Sequence, residues 1–143
     1  MGRRDKLQRV FNRFEKALNK YLQVVNQESL FGHIEKEILI EVVTKRFEYT
    51  FESMWKSLME FFRMEGINCT TPMQCFREAF KTGIIPEEYE EVFPSIVEKR
   101  NRIVHIYDFE QAAVIYDFIK SKDVVCAIKQ VYENLKRRIY PNK

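Results

Sequence analysis

Apolar residues recur at spacings of three and four along most of the chain, the period of one buried face on an α-helix. Residues 4 to 26 set Leu7, Val10, Phe11, Phe14, Leu18, Tyr21, Leu22 and Val25 on one stripe, with Arg13, Glu15, Lys16, Asn19 and Lys20 on the other. From Ile34 to Glu65 the period continues through Ile38, Val42, Phe47, Phe51, Met54, Trp55, Leu58, Phe61 and Phe62 without Gly or Pro. A helix of that length spans about 45 Å and must be the spine of a bundle. Gly66 is its expected stop. Thr71-Pro72 reads as N-cap and first residue of a short helix that ends at Gly83 and buries Met73, Phe76, Ala79 and Phe80.

Pro94 predicts that the next helix starts or bends there, with Ile96, Val97, Ile103 and Val104 turned to the core. Asp108 and Gln111 form a capping box for a last helix, whose stripe runs from Phe109 through Tyr116, Ile119, Ile128 and Val131 to Leu135. Gly32 and His33 fall in the connection between the first two helices, where a lone histidine is read as a loop residue. The predicted architecture is all-α, an up-and-down antiparallel bundle of four long helices and one short one. The length of 143 residues is that of a single domain, 1–143.

Composition agrees with long elements: only four Gly and four Pro argue against a loop-rich or many-stranded protein, and 45% hydrophobic with 31% charged residues is an ordinary globular mixture. The net charge of +3 is mild, but its distribution is uneven. Arg3, Arg4, Lys6, Arg9 and Arg13 load one end, Lys99, Arg100 and Arg102 the centre, and Lys136, Arg137 and Arg138 the other end. Such clusters suit either a polyanion such as RNA or simple solvated helix faces. Cys69, Cys75 and Cys126 include no CxxC pair and no neighbouring histidine, so reduced, partly buried thiols are expected and a zinc site is not. Four carboxylates between Glu87 and Glu91 point in different directions on a helix and do not make a metal shell. No metal or other cofactor is expected. No apolar run reaches membrane-spanning length and MGRRDK has no signal-peptide core, which makes cytoplasm the expected compartment.

The candidate chemistry gathers in Arg100-Asn101-Arg102-Ile103-Val104-His105-Ile106-Tyr107-Asp108. Imidazole exchanges protons near neutrality, the guanidinium of arginine forks onto phosphate, and a phenol can donate, accept or be modified. Without clustered carboxylates, the set suits phosphate chemistry that needs no metal. In a regular helix Asn101 and His105 share a face, but Arg100 is offset from His105 by about 140°. Either the helix ends before His105 or a second subunit completes the site.

Arg100-Asn101-x-x-x-His105-x-Tyr107 resembles the RNx3HxY signature of HEPN-domain proteins, in particular the HepT-like group known as nucleotidyltransferase substrate-binding proteins. The stretch from Arg46 to Lys56, RFEYTFESMWK, and the stretch from Arg77 to Ile85, REAFKTGII, are similar to two further patterns of that group. The resemblance runs from Val42 to Leu135 in order and spacing. It implies a homodimeric helical bundle that works with a small polymerase-β-type nucleotidyltransferase, and it implies roles by position. Arg100, Asn101 and His105 would be ribonuclease residues meeting across a dimer cleft and Tyr107 an acceptor of adenylate; Arg102, which the signature does not specify, is expected from its charge to bind substrate phosphate. Ile103, Val104 and Ile106 stand where many relatives carry Thr or Ser, which makes the cleft less polar.

Two functions follow from the resemblance. One is a metal-independent endoribonuclease, the toxin of a toxin–antitoxin pair. The other is a non-catalytic subunit that holds a nucleotide or acceptor for the nucleotidyltransferase.

Overall fold

A computed structural model describes residues 2–26, 34–106 and 108–142. His33 and Tyr107 lie outside the described residues. Within them the chain is helical without strands: α1 (Arg3–Asn26), α2 (Lys36–Met64), α3 (Pro72–Lys81), α4 (Val92–Ile103), α5 (Phe109–Ile119) and α6 (Lys122–Ile139), with one 3-10 turn at Glu87–Tyr89. The all-α expectation holds.

α1 and α2 form an antiparallel pair. Arg3 reaches the Arg63 carbonyl, Lys6 lies 3.6 Å from Glu60, and Arg46 donates to the Lys20 carbonyl. Residue numbers rise on one helix as they fall on the other. α6 closes on α1 in the same sense: Arg4 donates to the Ile139 carbonyl and Tyr132 to Glu15. Burial and the bond to Glu15 hold the Tyr132 phenol well above its ordinary pKa. The core runs through the whole stack, from Leu7, Phe11 and Phe14 on α1 to Phe47, Phe51 and Phe62 on α2 and Val131 and Leu135 on α6. The aromatic density of α2 is packing, as its helical period requires.

Local stops and starts fall where their residue types suggest. Gly66 and Gly83 have φ of +79° and +81°, a region that costs any residue with a Cβ. After Gly66 the Ile67 amide bonds back to the Phe62 carbonyl, closing the helix end. Thr71 accepts from the Gln74 amide with Pro72 following, and Asp108 accepts from the Gln111 amide. Pro94 is the third residue of α4, inside the first turn, where its missing N–H is not needed.

Four expectations need correction. The last helix is two helices, because the Ile119 carbonyl, which a continuous helix would offer to the amide four residues on, instead accepts from the buried Tyr21 hydroxyl. Ser121 then caps α6 by accepting from the Val124 amide. Val104 does not face the core: α4 ends at Ile103, and Val104 swings out to 72% exposure on the turn beyond it. Ile38 and Phe109, expected on buried stripes, are likewise exposed, each in the first turn of its helix. Cys69 and Cys75 are not free thiols. They are joined in a disulfide with Cα atoms 5.2 Å apart, because the extended run before α3 lies against its first turn; both are buried.

Candidate functional site

α4 carries Arg100, Asn101 and Arg102 in its final turn, and the chain then turns through Val104 and His105 toward α5. The His105 amide bonds to the Arg102 carbonyl at 2.9 Å, a tight turn that detaches the imidazole from the helix. The helix therefore does end before His105, one of the two ways in which the offset from Arg100 could be relieved. It does not bring the two side chains together.

Arg100 is directed at α2. One Nη sits 3.0 Å from Glu52 Oε2, the other donates to Asn101 Oδ1 at 3.2 Å, and the guanidinium lies 5.1 Å from the centre of the Phe51 ring. Partial burial raises the Glu52 carboxyl, but the Trp55 indole, the Lys56 ammonium and the Arg100 charge outweigh it and hold the group below its ordinary pKa. The Trp55 N–H points into buried space and falls short of a full hydrogen bond. Arg100 thus ties the end of α4 to the middle of α2, and its charge is already matched.

Arg102 is differently placed. Its partner Glu98 is one turn back on the same helix at 3.2 Å, and both side chains are more than half exposed, so the pair is weak and readily exchanged. Arg102 and His105 line one pocket of about 360 Å³ together with Ile106, Gln111, Val114 and Ile115. The end of α4 and the turn after it contribute Arg102, His105 and Ile106 to the lining, and α5 contributes Gln111, Val114 and Ile115. A larger pocket of about 510 Å³ opens between α2 and the α4–α5 connection, but among the described residues Glu37, Glu41, Glu48 and Asp108 line it against one cation, Lys45. That lining repels an anionic ligand.

Of the residues singled out in the sequence, the structure hydrogen-bonds Arg100 to Asn101 and places Arg102 and His105 in the lining of one pocket. Tyr107 falls outside the described residues. Glu52, Phe51, Gln111 and Val114 are site neighbours that the sequence pattern does not single out. Glu52 and Phe51 do lie within the RFEYTFESMWK stretch, so that motif held the signal. Among the described residues no group of three or more His, Cys, Asp or Glu side chains could hold a metal ion, and no helix is long and apolar enough to cross a membrane.

No curated protein matches the chain. A crystal structure of a Thermus thermophilus protein is similar, with 28% identity and a TM-score of 0.71, covering 87% of this chain and 99% of that one. Residues 3–137 match the family described as nucleotidyltransferase substrate binding protein like, a span that takes in all but the last residues of the bundle. The chain belongs to the nucleotidyltransferase substrate-binding protein-like family.

Proposed function

We propose that this protein is the binding subunit of a two-component nucleotidyltransferase, and that it holds a nucleotide or a phosphorylated acceptor in the pocket of Arg102 and His105. The observation that carries this reading is that Arg102 and His105 line the same pocket as Val114 and Ile115. Guanidinium and imidazole supply donors for phosphate oxygens, and the apolar side chains give a base or sugar face something to lie against. The partner is a small nucleotidyltransferase of the polymerase-β type. Co-expression with such an enzyme should yield a stable hetero-oligomer on size exclusion. Separate elution of the two chains counts against the reading.

Tyr107 is the proposed acceptor of adenylate from that partner. Its phenolic oxygen attacks the α-phosphorus of ATP and pyrophosphate leaves. Incubation with partner and ATP should add AMP units to the intact mass, and Tyr107→Phe should abolish the gain. A gain that persists in the variant places the acceptor elsewhere.

A second reading, the HEPN-type endoribonuclease, draws support from the surface around His105. Val104 and Val114 are 72% and 60% exposed beside it, apolar area that a second copy could cover. Two His105 imidazoles would then approach each other, one taking the 2′-OH proton as the 2′-oxygen attacks phosphorus, the other protonating the departing 5′-oxygen. Arg100 and Asn101 would bind the phosphate, once Arg100 is released from Glu52. RNA cleavage in EDTA that is lost in His105→Ala would favour this reading over the first.

A further inference from the structure

Of the helices, α1 carries the largest net positive charge. α1 carries Arg3, Arg4, Lys6, Arg9, Arg13, Lys16 and Lys20 against Asp5 and Glu15, whereas the chain as a whole has 24 Lys and Arg against 21 Asp and Glu. Everything outside α1 therefore has two more carboxylates than cations. Glu15 is occupied by Tyr132, which leaves the outward face of α1 basic along its length.

On that face Arg9, Arg13, Lys16 and Lys20 follow one another at steps of three and four residues, a row of cations about 5 to 6 Å apart along the axis. All four are exposed, and none makes an ion pair among the described residues. Where α1 meets α2 the row becomes one side of a shallow groove of about 230 Å³, lined by Arg13, Lys16, Ala17, Lys20, Arg46 and Tyr49. Among the described residues no carboxylate lines it. The Arg46 guanidinium is held across the groove by the Lys20 carbonyl and Gln23, so its charge is fixed in place. Tyr49 is 60% exposed, with Lys45 5.7 Å from its ring centre. This is an aromatic face left in solvent among cations.

We propose that this α1–α2 groove binds single-stranded RNA, the cations tracking the phosphates and Tyr49 stacking on a base. A row of unpaired Lys and Arg beside an exposed aromatic ring is the combination that single strands use. The shallow groove between two packed helices admits one strand, and a ring can stack only on a base that is not already paired. An anionic membrane would also attract the charge, but a helix that lies in a membrane surface needs exposed apolar side chains. Among the described residues, none of the large exposed apolar side chains is on α1. The site is separate from the pocket of Arg102 and His105 and does not depend on the function proposed for that pocket.

Fluorescence anisotropy of the full chain with a uridine-rich RNA of about twelve nucleotides, titrated at several salt concentrations, tests the assignment. The triple variant Arg13→Gln, Lys16→Gln, Lys20→Gln should bind more weakly, with a slope of log K against log salt shallower by about 2, since each lost phosphate contact on a single strand removes about 0.7. Tyr49→Ala should lose about tenfold in affinity and Tyr49→Phe should keep it, because stacking needs the ring and not the hydroxyl. All three substitutions in α1 are at exposed positions, and an unchanged circular dichroism spectrum verifies the fold. Unchanged affinity and slope in the triple variant overturn the proposal. So do a preference for duplex over single strand, and sedimentation with phosphatidylserine vesicles without binding to the RNA.

Discussion

Arg100 and Arg102 are two residues apart and belong to different environments. Arg100 is enclosed by Glu52, Asn101 and Phe51, while among the described residues the ion pair of Arg102 is an exposed one with Glu98. Arg100 therefore acts first on structure, as a tie between α4 and α2, and Arg102, in an exposed and readily exchanged pair, is the better placed of the two to meet a ligand. Glu52→Gln should lower stability by less than about 1 kcal/mol, given the solvent screening of a pair more than one-third exposed. Because the Glu52 pKa is depressed, its stabilisation is present above the ordinary carboxylate value and is lost as pH falls through the depressed one. Urea unfolding at pH 7 and near pH 3 should show a smaller difference between the two conditions for Glu52→Gln than for the wild type. Equal differences would mean that the pair contributes nothing.

Among the helices, the break between α5 and α6 depends on one long-range contact. The Tyr21 hydroxyl, buried and held protonated by that burial, takes the Ile119 carbonyl that a continuous helix would use. Tyr21→Phe removes the donor and leaves a buried carbonyl unpaired, which should cost about 1–3 kcal/mol in chemical denaturation. No change would show that α5 ends for another reason. The difference between what could and could not be read from sequence lies here. Gly66, Gly83, Thr71-Pro72 and Asp108 act on their immediate neighbours, so a local pattern suffices to place them. Lys120 to Asp123 are all polar, a local gap in the apolar stripe, but the Tyr21 hydroxyl that takes the Ile119 carbonyl at that gap is 98 positions away in sequence. Ser121 within that polar run is a local capping signal as well, which a reading of one continuous helix from Phe109 to Arg138 passes over. The Glu52–Arg100 pair spans 48 positions and is invisible to helical periodicity for the same reason. Val104 shows the converse: its place on the stripe is right for a helix that has already ended.

For the molecule as a whole, charge and apolar surface are sorted to different places. The outward face of α1 is basic, the groove beside α2 and Asp108 is acidic, and the turn after α4 exposes Val104 with Val114 nearby on α5. If a second copy covers that last patch, as the resemblance to HEPN proteins implies, light scattering should give a dimer for the wild type and a monomer for Val104→Asp. A monomeric wild type would leave the ribonuclease reading without its shared cleft, while the binding-subunit reading, which uses one chain, would stand.

That reading rests on a single pocket, and calorimetric titration of the wild-type protein with ATP, beside Arg102→Ala and His105→Ala, reads the pocket directly. The wild type should bind, and each variant should lose at least about tenfold in affinity, the effect of removing one charge-assisted hydrogen bond to phosphate. Absence of binding by the wild type, or equal affinity in all three proteins, would contradict the assignment of Arg102 and His105 to a nucleotide site.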